Sequence, residues 1–272
     1  MTNDKEEQLI VRRFKDLAYM AETRYMNTFT GFLGMQELSL FLEHKKQYSN
    51  VSYSVFGGLM DSERKMVCFH GMEDSMNSSL YERKGLELIL TQEAYQQYYP
   101  IRCIHIVPLN KKFSDTLTHR DFLGAILNLG IDRSKVGDIL LQENEAYVFC
   151  EDTISDFIVM QLTKIKHTNV KLTQVEFESL NIERKYIELS GTVSSIRLDS
   201  IISTAFKTSR SSLTGFIAGG KVFVNGRQTE QNSYVPKDHD VISVRGLGKF
   251  EYIGTTNQTK KGRYSIRIKR YN

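Results

Sequence analysis

Three short runs in this sequence carry residue types that could do chemistry. Lys207-Thr208-Ser209-Arg210-Ser211 sets two cations among three hydroxyls, a combination that meets phosphate oxygens by charge and by short donors. His119-Arg120-Asp121 has the residue types of a phosphoryl-transfer loop, but Ile126 stands where the metal-binding Asn should follow, and no Asp-Phe-Gly comes later. Gly246-Leu247-Gly248-Lys249 fails as a phosphate loop, because the motif's first glycine would fall at Ser243 and Phe250 replaces the magnesium-holding Ser or Thr. Arg245 and Lys249 therefore read as basic strand-end residues that contact RNA. His119, Arg120 and Asp121 read either as the polar first turn of a helix capped by Thr118 or as a contact for RNA or protein.

The remaining reactive side chains are scattered. Cys68, Cys103 and Cys150 lie 35 and 47 positions apart, which builds neither a disulfide framework nor a zinc knuckle, and they read as buried strand residues. No two of the six histidines have the helical spacing of metal ligands. No Ser, Cys or Asp has a recognisable base and oxyanion setting, so the chain is expected to be no enzyme and to carry no cofactor or metal. The start, Met1 to Glu7, is polar, and no apolar run approaches the roughly 18 residues of a membrane span. A soluble, cytoplasmic protein is expected, without membrane contact.

Charge is distributed unevenly. Residues 1–184 hold 21 Lys and Arg against 26 Asp and Glu, whereas residues 185–272 hold 15 against 6. A positive field confined to one end is what a module that tracks phosphates requires.

The elements that must position these groups are legible in outline. Helices are predicted over about 5–25 and 35–46, followed by strands 51–56 and 65–70 joined across Asp61-Ser62. Residues 73–79 read as a linker, and 86–99 as a helix-like stretch stopped by Pro100. Next come strand 101–107, helix 118–129, strands 138–141 and 146–150, helix 153–162 and strand 169–172. This β-α-β-β-α-β order is the ferredoxin-like unit shared by RNA-recognition modules. The basic-Gly-aromatic opening of an RNA-stacking third strand is missing from Glu145–Cys150; Tyr147 and Phe149 share a face and read as core before they read as base platforms.

The C-terminal pattern is sharper. Leu198, Ile201, Ile202 and Ala205 make a helical stripe; Ser209 caps a second helix with Leu213, Phe216 and Ile217 inward, and Gly219-Gly220 stop it. Lys221–Val224 alternates as a strand into Asn225-Gly226, a strong hairpin signal, with further strands over 240–245 and 263–269. Arg197, Lys207, Arg210, Lys221 and Arg227 are left over and are expected to share a surface.

In order and residue type, Arg197-Leu198-Asp199, Ser209-Arg210-Ser211 and Ile217 through Gly220-Lys221-Val222 to Asn225-Gly226 resemble the S-four RNA-binding domain. That resemblance implies RNA-facing roles for Arg197, Lys207, Ser209, Arg210, Ser211 and Lys221, while Asp199 and Asn225-Gly226 read as structural. Thr118–Ala125, Gly130-Ile131, Val136–Ile139 and Val244–Phe250, with Phe56-Gly57-Gly58 and Glu63-Arg64-Lys65 upstream, are similar to the YlmH family. The expected fold is thus α+β: an N-terminal mixed region (1–79), a ferredoxin-like middle domain (80–180) and an S-four domain (181–272). The resemblance implies a factor that binds rRNA and tRNA on the large ribosomal subunit, in quality control of stalled peptidyl-tRNA, beside quality-control proteins and as a monomer off the ribosome; the family is also linked to cell division. An rRNA-modifying enzyme and a division-associated RNA-binding adaptor are the rival readings. Residues 207–211 also resemble the Lys-x-Ser-Lys-Ser loop of class I aminoacyl-tRNA synthetases, but the partner His-x-Gly-His motif is missing.

Overall fold

The computed structural model describes residues 2–48, 51–60, 62–71, 76–177, 180, 186–260 and 262–271. Its two compact units are Met1–Ile182 and Glu183–Asn272. Asp61 of the expected turn and residues 73–75 of the expected linker lie outside the described residues, as does the segment 181–185 that begins the expected third domain.

The first unit is a four-layer stack built on two sheets. Helix α1 (Thr2–Arg24) and α2 (Met35–His44) lie on a sheet of β1 (Thr28–Phe29), β2 (Ser52–Phe56), β3 (Met66–His70), β4 (Tyr81–Lys84) and β5 (Glu87–Leu90), in the order β1-β3-β2-β5-β4. Alternation along β3 sends Val67 and Phe69 toward Phe14 and Phe41 of the helices, and Met66 and Cys68 to the opposite face. All five β3 residues are buried, because this strand has a packed layer on each side. The helix-like stretch 86–99 resolves into β5 and a short α3 (Gln92–Tyr98) capped by Thr91. The boundary after residue 79 is corrected accordingly, since β4 and β5 complete the first sheet.

The second sheet comprises β6 (Ile101–Pro108), β7 (Val136–Gln142), β8 (Glu145–Glu151), β9 (Lys164–Ile165) and β10 (Thr168–Val175). Its order, β7-β8-β6-β10-β9, with α4 (His119–Leu127) after β6 and α5 (Asp152–Gln161) after β8, is the ferredoxin-like arrangement. Ile104, Ile106, Val148 and Cys150 pack under α4 and α5, while Cys103 and Phe149 point into the core shared with the first sheet. The two segments expected as separate domains therefore form one body, and all three cysteines are buried in strands.

The joint between the sheets uses the motifs that stood out in sequence. Asp138 accepts the backbone N–H of Glu63 at 2.8 Å and of Arg64 at 2.9 Å. The Arg64 guanidinium donates to the carbonyls of Val136 and Phe32. Gly58 sits at φ +102 with Phe149 so close that a Cβ there would lie 2.2 Å from the ring. Ser54 Oγ lies 2.7 Å from His70 Nε2 and 2.8 Å from the Tyr99 hydroxyl, all within the buried layer, and burial pulls the His70 pKa down to about 4.

The second unit sets two helices on one six-stranded antiparallel sheet. Strand β11 (Tyr186–Val193) leads to α6 (Leu198–Phe206) and α7 (Arg210–Ala218), then β12 (Val222–Val224), β13 (Arg227–Gln228), β14 (Asp240–Val244), β15 (Gly248–Gln258) and β16 (Tyr264–Tyr271). The order is β11-β16-β15-β14-β12-β13. Leu198, Ile201, Ile202, Ala205, Leu213 and Ile217 are fully buried against Val222, Ile242, Phe250 and Ile268.

Two outcomes follow for the first unit. Gly58→Ala combines a left-handed backbone with a ring collision and should cost about 2–4 kcal/mol, whereas Gly124→Ala, in open space on α4, should add about 0.5–1 kcal/mol by chemical denaturation. His70 is held neutral in the folded state, so the unfolded chain takes up its proton first. Stability should be full above pH 6.5 and fall by about 3 kcal/mol as pH drops toward 4, a loss that His70→Gln abolishes in paired unfolding curves.

Candidate nucleic-acid interface

The hydroxyl-rich run forms the turn between α6 and α7. Lys207 ends α6 in the left-handed conformation, φ 52 and ψ 40, a position usually given to glycine. Thr208 follows, and its carbonyl accepts the Ser203 hydroxyl at 2.6 Å, which pins the turn to α6. Ser209 then caps α7, its Oγ accepting the Ser212 N–H at 3.3 Å and lying 2.7 Å from the Ser212 hydroxyl and 3.1 Å from that of Ser211. Lys207, Ser209, Arg210 and Ser211 are exposed. Among the described residues no carboxylate pairs with Lys207 or Arg210, and the first amides of α7 point at the same region. A helix start with exposed cations and clustered hydroxyls is suited to a phosphate group.

Lys221 joins a second cluster at the other end of α7. Its carbonyl accepts the Arg245 N–H at 2.9 Å, and its ammonium stands 5.3 Å from the Phe216 ring centre, so Phe216 is only partly buried. Arg245 stacks its guanidinium over Phe223 at 4.8 Å, and Lys249 sits 5.3 Å from the Tyr271 ring. Arg227 lies on the short edge strand β13, opposite Val224. The expectation that the leftover cations share one surface needs correcting for Lys221, which α7 sets a helix length from Arg210, and for Arg197. Arg197 precedes α6, a helix of nine residues or about 13 Å, so it stands at the opposite end from Lys207. Its guanidinium is also engaged side-on by Asp199, at 3.2 and 3.3 Å.

Asp199 and Asn225 have the structural settings expected of them. Asp199 Oδ1 accepts the Ser200 N–H at 2.8 Å. Asn225 and Gly226 both have positive φ, and the Asn225 side chain accepts the Val241 N–H and donates to the buried Asp240, tying the hairpin to β14. Sequence reasoning missed Arg270, whose guanidinium donates to the Ala205 carbonyl at 3.0 Å and so closes the C-terminal end of α6. The basic stretch near the C-terminus was the available signal.

On the first unit, Thr118 and Asp121 make a reciprocal cap at the start of α4, and Lys166 Nζ lies 2.8 Å from Asp121. These hydrogen bonds from Lys166 and Thr118 hold the Asp121 carboxyl down at about 2. Asp121 is thereby a structural residue, while Arg120, Lys164 and Lys166 line an open groove between α4 and the end of α5. The strand face that RNA-recognition modules use is largely closed: Phe149 is fully buried, and Tyr147 stacks on His105 at 4.3 Å beside Glu145.

Residues 95–179 match the family described as “Putative RNA-binding domain in YlmH”. The chain is 25% identical over 270 residues to “Ribosome-associated protein quality control protein P2” of Bacillus subtilis (strain 168), covering 98% of this chain and 96% of that protein. A solved structure, “Cell division protein ylmH from Streptococcus pneumoniae”, aligns with a TM-score of 0.48 and 23% identity over 65% of this chain and 95% of its own.

The left-handed Lys207 gives a direct outcome. Lys207→Gly should raise stability by about 0.5–1 kcal/mol in chemical denaturation, because glycine adopts this conformation without the Cβ penalty.

Proposed function

Because this chain is homologous to YlmH-family proteins along nearly its whole length and carries their RNA-binding domain at residues 95–179, we propose that it is a non-enzymatic, ribosome-associated RNA-binding factor. It holds rRNA and tRNA on the large subunit and acts in quality control of stalled peptidyl-tRNA, which makes it a cytoplasmic protein. The observation that carries this reading is the α6–α7 turn, where Lys207 and Arg210 stand exposed beside the Ser209 and Ser211 hydroxyls at a helix start. The helices and strands around it fit the S-four reading of this unit, with Lys221, Arg227, Arg245 and Lys249 as further phosphate contacts. The 15-to-6 excess of basic residues after position 184 supports it. With most of the middle sheet's open face given to core, the groove of Arg120, Lys164 and Lys166 is the RNA-facing side of the first unit.

Lys207→Glu with Arg210→Glu tests the reading more cleanly than reversal of Arg197, which would place a carboxylate against Asp199. The double variant should keep its unfolding midpoint, lose most ribosome co-sedimentation near physiological salt, and show a salt dependence shallower by about 0.7–0.9 per phosphate contact removed. Wild-type co-sedimentation by this variant would remove the turn from the interface.

A further inference from the structure

The sheet of the second unit has a face turned away from α6 and α7, and its composition is not explained by folding. Val222, Val224, Ile242, Val244, Phe250 and Ile268 point into the core, so their strand neighbours point outward. The register aligns those neighbours into a row. Phe223 pairs with Ser243, Ser243 with Lys249, and Tyr271 with Tyr186, while the Phe250–Arg270 pair brings Lys249 beside Tyr271. The row crosses five adjacent strands, a span of about 19 Å at the usual strand spacing. Each of its three rings has a cation over it: Arg245 at 4.8 Å from Phe223, Lys249 at 5.3 Å from Tyr271, and Lys269 at 3.9 Å from Tyr186.

We propose that this row is a second RNA-contacting surface, a platform that takes a few unpaired nucleotides by stacking bases on Phe223, Tyr271 and Tyr186. The inference rests on the RNA-binding reading above and adds a class of target: single-stranded segments, as distinct from the phosphate groups met at the α6–α7 turn. Rings at intervals across a sheet, interleaved with cations, match the two demands of a single strand, a π-face for each base and positive charge for the backbone. Arg245 and Lys249 supply the charge without leaving the face. Glu188 and Glu251 stand opposite Lys269 in register on its two sides and offset its charge, so the net positive charge of the row is that of Arg245 and Lys249. Glu251 accepts the Tyr271 hydroxyl at 3.2 Å and meets His239 at 2.7 Å, which orients the ring, and Glu188 pairs in register with Lys269. The rings are partly to well exposed, Tyr186 at 44%, so a base can reach them.

The chain contains no tryptophan, which makes Phe223→Trp a single reporter on the platform. Full-length protein should bind a labelled oligouridylate of roughly a dozen nucleotides, and the emission of F223W should be quenched on saturation. Phe223→Ala with Tyr186→Ala should weaken binding by about tenfold per ring removed, while Tyr186→Phe should retain it. The Lys207→Glu, Arg210→Glu variant should still bind the oligouridylate although it loses ribosome co-sedimentation, which separates failure of this platform from failure of the turn. Absent oligouridylate binding by the wild type, unquenched F223W emission at saturation, or wild-type affinity in the double alanine variant would overturn the platform and leave the earlier reading standing. Should the double alanine variant not fold, the quenching of F223W emission decides the matter.

Discussion

The Asp138 carboxylate, gripping the N–H groups of Glu63 and Arg64, is the constraint on which the first unit depends. Two part-buried backbone donors beside the packed sheets find an acceptor there, one carboxylate oxygen for each, in short bonds. With that loop fixed, Arg64 reaches the Val136 carbonyl at the start of β7, and Gly58 can lie flat against Phe149. The sheets then share one core, Phe56 and Met66 from one side with Cys103 and Phe149 from the other. That contact determines where ligands can go. A ferredoxin-like domain with a bare sheet offers its strands to RNA; here most of that surface is spent on folding, and what faces solvent is the helical side and a separate basic unit.

Much of the architecture was legible because its signals were redundant. The α6 stripe, the Ser209 cap, the Asn225-Gly226 turn and the β-α-β-β-α-β order each rest on periodicity together with a stop or cap, and each is found in place. The failures have a common cause. Leu86, Leu88, Ile89 and Leu90 fit a helical stripe as well as a strand, and only Gly85, at φ +68, marks the hairpin that makes β5 a strand. Strands β11 and β15 escaped notice because one alternates weakly and the other ends in the polar run Thr255–Gln258. A strand that lies at an edge or projects into solvent need not carry a hydrophobic pattern.

The candidate site was legible by residue type and not by geometry. Sequence grouped Arg197 with Lys207 and Arg210, since all three are cations near helix ends, but a helix separates its own ends by its full length. Asp199, two residues away, further claims the Arg197 guanidinium. Conversely, the outward row on the second sheet joins residues from positions 186 to 271, and no local pattern could have assembled it. Lys207 illustrates the opposite kind of information: its type was noted, while its left-handed backbone emerges only from the fold. A lysine kept where glycine would be more comfortable ties local strain to the turn that displays it.

The double burial of β3 bears on how the chain is made. Met66 and Cys68 are covered by β6 and β8, whose last residue, Glu151, lies some eighty positions downstream. During synthesis the first sheet therefore waits with one apolar side uncovered until that stretch has emerged. A product cut short near residue 100 would carry a sticky, half-dressed sheet, attractive to chaperones and proteases, because the first hundred residues do not close their own core.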